Sequence, residues 1–459
     1  MCAQNKKEYK APIIVKIQTQ ISSKHGAAGK ASQSLVRENI DGISIKKLTD
    51  EFGSPLYVFS EKRIREIYEK NYKAFAERYP KIQYAWSYKT NYIKSICSLF
   101  HNLGSIAEVV SEFEYEKARE LGVQGKDIIF NGPYKPLHIL RKAAKEGAKI
   151  HIDSFEEIKD LEIVADELKT KIKVGIRVNL DAGIYPQWSR FGFNLESGQA
   201  AEAVERIKIG GKLELNGLHC HIGTFILDPA AYSRETEKLI HFGKKITEKF
   251  GFKIEYFDLG GGFASKGNLK GVYQPPEVAV PDVEIYAEAI TSAIHRNCDA
   301  NDLPMIYLES GRAMIDEAGF LITTIVGSKN MITGQRAYTM DAGVNLLYIS
   351  TWFNFKVELD HYVEGILEPA VLNGPLCMNI DVIEENLLLP RLERGTKLIL
   401  SPVGAYNVVM AQQFIHCRPA VVMISENGTA AIIRKHESLS DIEQNEVLPE
   451  LFEFKGKCE

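Results

Sequence analysis

Between residues 82 and 308 short apolar runs alternate with longer stretches whose apolar positions recur every three or four residues. The runs Ile82–Trp86, Ser105–Val110, Asp127–Phe130, Lys149–Ile152, Lys173–Val178, Leu213–His221, Ile254–Leu259 and Met305–Leu308 have the length and β-branched content of strands. Between them Glu112–Leu121, Pro136–Glu146, Phe155–Lys169 and Tyr232–Phe250 carry a helical period, and one more helix, Glu61–Arg78, precedes the first strand. Eight strands alternating with helices over about 250 residues predict an α/β fold, a (β/α)8 TIM barrel. An open doubly wound sheet is the alternative, but it rarely runs to eight such regular units.

After about Met314 the pattern shortens. Gly319–Gly327, Arg336–Met340, Lys397–Leu400, Ala420–Ile424 and Ala430–Lys435 are apolar or β-branched runs separated by Gly, Pro and Asn turns, which predict a C-terminal β-rich domain. Pro55–Phe59 has the same strand character. The predicted organisation is an extension over 1–40, a segment over 41–60 that pairs with the β domain, a barrel over 61–314, and the β domain over 315–459. The extension shows no sustained period and reads as mobile or loosely docked.

Composition narrows the function classes. A net charge of −4 gives no reason to expect nucleic-acid or anionic-membrane binding. No run approaches the roughly 20 apolar residues of a membrane span, and the polar N-terminus lacks the apolar centre of a signal peptide. Seven dispersed cysteines (2, 97, 220, 298, 377, 417, 458) without a CxxC pair read as reduced thiols in the cytosol.

The candidate chemistry lies at strand ends. Lys89, in Tyr84-Ala85-Trp86-Ser87-Tyr88-Lys89-Thr90-Asn91, closes the first barrel strand, on the face where barrel active sites lie. Barrel walls around it would depress its pKa and favour condensation with an aldehyde. Gly260-Gly261-Gly262 closes the seventh strand. Glycines there let backbone N–H groups approach an oxyanion, and Arg312, past the eighth strand, can add a bidentate contact. The alternative for the glycines is a flexible turn. Glu309 ends the eighth strand, either as an ion-pair partner of a barrel arginine or as a carboxylate that keeps a pyridine nitrogen protonated. Taken in order, these groups can hold one phosphorylated aromatic aldehyde, pyridoxal 5'-phosphate.

His219 and His221 sit in His219-Cys220-His221-Ile222-Gly223-Thr224. With regular pairing one is expected inside the barrel and the other against the helices. A His-x-His pair can also ligate a metal, but no other histidine stands at an obvious strand end, so no metal is expected. One histidine is expected to stack on an aromatic cofactor.

These motifs, in this order, resemble the fold-type III pyridoxal-dependent amino acid decarboxylases, the group containing diaminopimelate and ornithine decarboxylases. The resemblance runs from about Gly42 to Gln412. It implies that Lys89 carries the cofactor, that His221 stacks on its ring, and that Thr224 stands where the group's histidine-isoleucine-glycine-serine motif has serine. It further implies that Gly260, Gly261, Gly262, Arg312 and Tyr406 hold the phosphate and that Glu309 meets the ring nitrogen. Glu108 stands where an acid lies near the cofactor, and Arg177 would be a buried polar partner. The group forms homodimers with shared sites, in which Cys377 would enter the partner's site and reprotonate the α-carbon.

Two departures bear on substrate. Met378 stands where an acid usually follows the cysteine. Asp341-Ala342-Gly343-Val344-Asn345 begins as in diaminopimelate decarboxylases, but Leu346–Ser350 contains no arginine. With Asp341 and Met378 as substrate-binding positions, a charged distal group would lack its ion partner at a cost of several kcal/mol. The sequence therefore predicts decarboxylation of a modified, conjugated or carrier-bound amino acid, with diaminopimelate as the alternative. A racemase would place arginine rather than Glu309 at the ring nitrogen. A non-catalytic pyridoxal phosphate carrier of the barrel type would lack the β domain.

Overall fold

The computed structural model describes residues 35–454. Eight parallel strands close into a barrel: Ile82–Ser87, Ile106–Val109, Ile128–Phe130, Lys149–Ile152, Ile172–Asn179, Leu213–Cys220, Tyr256–Asp258 and Met305–Leu308. Each pairs with its successor and the eighth returns to the first, where Leu308 meets Tyr84. The bounds fall within two residues of the apolar runs, because every run is buried on both faces and ends where polar residues reach the rim.

Helices start where the sequence supplies caps. Ser60, Ser111 and Ser154 accept hydrogen bonds from the backbone N–H of Arg63, Glu114 and Glu157, at the heads of Glu61–Ala76, Glu112–Glu120 and Phe155–Leu168. Acidic side chains in each first turn complement the helix dipole. Inside the barrel Ala85, Ile129, Tyr256 and Tyr307 form an apolar floor.

The β domain is built around Gly319–Asn330, which pairs with Arg336–Met340, Lys397–Ser401 and Leu56–Ser60. Leu56–Ser60 also runs parallel to Val421–Ile424, so a strand from before the barrel sits in the middle of the second sheet. Its alternation divides it: Leu56 and Val58 join Phe320, Ile322, Ile399, Val422 and Ile424, while Tyr57 and Phe59 pack toward the barrel core. Three strands of four or more residues escape the sequence pattern: Lys356–Leu359, Glu368–Asn373 and Val382–Leu389. The second carries Pro369, and the third carries Glu384 and Glu385, signals that argue against a strand until the partners are known.

Of the extension, residues 35–40 are docked. Arg37 Nε donates to Glu358 Oε2 at 2.6 Å, and Ile40 is buried with Ile45 and Leu48. Residues 1–34 of that predicted segment lie outside the described residues. No helix among the described residues is long and apolar enough to cross a membrane.

Trp86 links the first strand to the helix that follows. It is fully buried, its ring lies 3.7 Å from that of Phe100 at 8°, and Nε1 donates to Asn91 O at 3.2 Å. Trp86→Ala is expected to cost about 3–5 kcal/mol, read as a lower denaturant midpoint at an unchanged slope.

Candidate functional site

Every second residue of a barrel strand faces inward, and above the apolar floor those positions turn polar. Successive strands contribute Ser87, Glu108, Asn131, His151, Arg177, His219, Asp258 and Glu309. With Lys89, His221, Thr224, Gly262, Arg312 and Tyr406 most of them line a cavity of about 680 Å³ at the C-terminal mouth. His151 and Asp258 lie beneath it, wholly buried.

Lys89 Nζ donates to both oxygens of Glu108, at 2.9 and 2.7 Å. Ser87 Oγ donates to Glu108 Oε2 at 2.5 Å. Asn131 Nδ2 donates to Glu108 Oε1 at 3.0 Å and also to Glu309 Oε1. One amide thus bridges two buried carboxylates. Burial lowers the Lys89 pKa, but Glu108 and then Glu309 outweigh it, so the net shift is upward. This corrects the depressed pKa expected from the barrel wall: without its acid neighbours the lysine would behave as predicted.

Glu309 and Asp258 form a tightly coupled pair. Burial, reinforced by Glu309, pushes the Asp258 carboxyl well up. Burial also pushes Glu309 up, but Lys89 and the Asp258 hydrogen bond hold it below the usual range. The two shifts run in opposite directions, so Asp258, whose Oδ2 has no hydrogen-bond donor, is the member of the pair that holds a proton more readily.

His219 and His221 both face inward. This corrects the expectation of opposite faces, since residues two apart on a strand share a side. His219 is fully buried, stacks on His151 with centroids 4.8 Å apart at 17°, and has Nε2 3.6 Å from Glu309 Oε2. His221 presents its ring to the cavity, and its Nδ1 accepts from Gly261 N–H at 3.0 Å. That bond places the His221 proton on Nε2, and burial, followed by Arg177 and Lys89, keeps the ring neutral. His151, at the end of the fourth strand, is the further histidine that the sequence reading did not find. His151, His219 and Glu309 bring ligand atoms within 4.8 Å of one another, with both His151 nitrogens hydrogen-bonded, to Asn131 and Tyr256.

The phosphate end differs in part from expectation. Gly260 N–H donates to Asp258 Oδ1 at 2.9 Å and Gly261 N–H to His221 Nδ1, so those two groups are already committed. Gly262 alone of the three lines the cavity, and its N–H makes no hydrogen bond among the described residues. A Cβ at Gly261 would lie 2.3 Å from Glu309 O, and one at Gly262 2.3 Å from Gly223 O, so the run is required for close backbone approach. Buried Arg312 has Nε and Nη1 without a hydrogen-bond acceptor, and its guanidinium lies 4.6 Å from the Phe353 ring and 4.9 Å from the Tyr406 ring. Tyr406 is held at φ 65°, a left-handed conformation that a tyrosine adopts only under constraint.

Three predicted residues stand apart. Asp341 is a correction: Oδ1 accepts from Thr323 Oγ1 at 2.6 Å and Thr324 N–H at 2.8 Å, and Oδ2 from Ser54 Oγ at 2.6 Å. Its carboxylate knits the β domain and does not line the cavity. Cys377 and Met378 are exposed on the loop after Glu368–Asn373 and are absent from the cavity of their own chain. Buried Asp381 holds that loop, accepting from Leu376 N–H at 2.8 Å and Val344 N–H at 2.7 Å. Asn131, His151, Asp258 and Asp381 carry no motif; the inward alternation of the strands was the one signal that could have found the first three.

The donor set fits pyridoxal phosphate. An amine at one end, and at the other a buried guanidinium with unspent N–H groups, whose ion partner Asp316 stands 3.6 Å off, beside a free backbone N–H, match an aldehyde and a phosphate, with an acid and a flat imidazole between them. Comparison with known proteins agrees. The pyridoxal-binding domain model of the pyridoxal-dependent decarboxylases matches residues 65–316. The diaminopimelate decarboxylase of Aquifex aeolicus (strain VF5) is 30% identical over 87% of this chain and 93% of its own. That of Bacillus subtilis (strain 168) is 30% identical over 88% and 93%. The crystal structure of the M. jannaschii diaminopimelate decarboxylase superposes with a TM-score of 0.83 at 27% identity, covering 93% of this chain and 100% of that one. These names give no support to a conjugated or carrier-bound substrate and favour the alternative, diaminopimelate.

Lys89 can condense only as the free amine, and Glu108 holds it protonated. Uptake of pyridoxal phosphate by the cofactor-free protein is therefore expected to quicken as pH rises. Glu108→Gln removes the charge that raises the Lys89 pKa, so the same profile should move to lower pH by roughly one unit or more, followed by absorbance.

Proposed function

The chain belongs to the fold-type III pyridoxal-dependent amino acid decarboxylases, and from that premise we propose that its substrate is meso-diaminopimelate, released as lysine and CO2. The observation that carries the reading is Arg177. It lines the cavity, lies over the Phe191 ring at 4.6 Å, and makes no ion pair among the described residues. A substrate with a second carboxylate offers that guanidinium a partner, and the arginine missing from Leu346–Ser350 is then not needed. A Methanocaldococcus relative of that name has been crystallised with L-lysine.

Pyridoxal phosphate, when bound, supplies the ring that accepts the bond electrons as CO2 leaves. The chain's residues do the rest. Lys89 would hold the aldehyde end of the cofactor, and Glu108, hydrogen-bonded to Lys89 Nζ, would take up the proton that the substrate amine sheds. Neutral His221 covers the ring face. Glu309, kept ionised by Asn131 and Asp258, holds a proton at the ring nitrogen. Arg312, Gly262 N–H, Thr224 and Tyr406 hold the phosphate.

A cytosolic homodimer is part of the same reading. Cys377 is exposed, and Asp381 fixes its loop outside the chain's own cavity, an arrangement suited to a partner's site, where the thiol would protonate the α-carbon. A second reading, a substrate with an uncharged or enlarged distal end, is favoured by the apolar wall of Leu269, Ile349, Trp352, Phe353 and Met410, and by Met378.

CO2 release by the loaded protein separates the two. The panel contains meso-diaminopimelate, ornithine, lysine, arginine, glutamate and citrate-conjugated amino acids. Saturable release from diaminopimelate, with Arg177→Ala raising KM more than it lowers kcat, is the expected outcome. Release from a conjugate alone would replace it with the second reading. Cys377→Ala should keep the bound chromophore and lower product formation by about 100-fold or more.

A further inference from the structure

Beneath the charged layer lies a histidine marked by no motif. The His151 side chain is wholly buried. Its Nδ1 lies 2.7 Å from Asn131 Oδ1, its Nε2 lies 3.0 Å from the Tyr256 hydroxyl, and its ring stacks on His219. The directions of these bonds follow from the acceptors above. Asn131 commits both amide hydrogens, one to Glu108 and one to Glu309. Its Oδ1 must therefore accept, which places the His151 proton on Nδ1. Nε2 is then an acceptor, and the Tyr256 hydroxyl donates to it. The chain of donation runs one way, from Tyr256 through His151 and Asn131 to the two carboxylates. A reversed Asn131 would set its oxygen against both Glu108 and Glu309.

The barrel makes room for this chain at specific points. A Cβ on Gly175, in the fifth strand, would stand 2.5 Å from His151 Cδ2 and 2.8 Å from the Tyr256 hydroxyl. A Cβ on Gly217, in the sixth, would stand 1.9 Å from the Tyr256 ring. Neither glycine has a positive φ, so space and not backbone freedom requires them. Two adjacent strands thus give up a side chain so that a histidine and a tyrosine can meet under the site.

We propose that His151, keyed by Tyr256, is a positioning residue that locks the Asn131 amide as the shared donor between Glu108 and Glu309. It thereby sets the charge presented to Lys89 and to the cofactor's ring nitrogen. The other titratable or charged groups facing His151 are His219, Glu309, Asp258 at 3.9 Å, Lys135 and Arg177. The inference rests on the pyridoxal site and not on which amino acid is turned over.

The test is a pH titration of the chromophore in the loaded protein without substrate, paired with kcat and KM. His151→Phe preserves the ring stack and volume but removes both hydrogen bonds. Without the lock the two carboxylates lose the donor they share, Glu309 binds a proton more readily, and less negative charge supports the protonated chromophore. The midpoint is expected to fall by roughly one unit. The kcat should fall about tenfold or more, with KM changed little. Tyr256→Phe should move the midpoint the same way by less. His151→Gln, whose amide can still donate to Asn131, should recover part of the shift. A midpoint and kcat equal to the parent's in both Phe variants, with only the melting temperature lowered, would show that the pair merely fills space and overturn the proposal. If His151→Phe does not fold, Tyr256→Phe decides alone: a lower midpoint supports the lock and an unchanged one refutes it. Because the titration uses no substrate, failure of diaminopimelate turnover leaves its result intact.

Discussion

Two carboxylates side by side in the interior of a barrel are the constraint to which the site answers. Glu108 and Glu309 are both buried, and burying two acids together is costly unless each is paired and hydrogen-bonded. Lys89 supplies one positive charge, Asn131 one hydrogen bond to each, Ser87 another to Glu108, and protonated Asp258 one to Glu309. Remove any one and the remaining charges lose compensation that water cannot replace at that depth. The polar groups near the site are consequently arranged to serve these two acids before they meet any ligand.

The same economy explains the crowding of backbone at the phosphate end. Gly260 and Gly261 spend their N–H groups on Asp258 and His221, so the seventh-strand turn orients a proton donor and a ring. Gly262 and Arg312 are left to face an anion. A Cβ on Gly311 would lie 2.0 Å from Thr90 Oγ1, which brings the Glu309–Arg312 turn against the Lys89 turn. Glycines here bring three loop ends close enough for one small molecule to touch them all.

Much of this is legible in the sequence, for identifiable reasons. Barrel strands are buried on both faces, so their apolar runs mark their bounds closely. Lys89, Glu309 and the glycine run stand at those bounds, where barrel chemistry concentrates. Asn131 follows its strand and His151 lies within its own, but neither belongs to a recognisable string, and their roles depend on neighbours from other strands. The Lys89 pKa is hidden for the same reason, because its sign is set by Glu108 across the sheet. Glu368–Asn373 and Val382–Leu389 were obscured by proline and paired acids. Asp341 misled because its surrounding motif is familiar, while its carboxylate is consumed by Ser54, Thr323 and Thr324.

The cavity draws its charged and its apolar lining from different parts of the chain. The groups that compensate charge come from the barrel, whose strand ends are fixed by their neighbours and tolerate little change. The apolar part of the cavity wall comes mainly from Ile349, Trp352, Phe353 and Met410 in the β domain, on a short 3-10 turn, a two-residue strand and a one-turn helix. Such segments can exchange side chains without disturbing Glu108 or Glu309. Arg177 is the exception, a charged barrel residue lining the same cavity and unpaired by any acid among the described residues. Under the proposed reading, a carboxylate at the far end of an amino acid would be met by the barrel itself, while the β domain would set the length and polarity of whatever lies between.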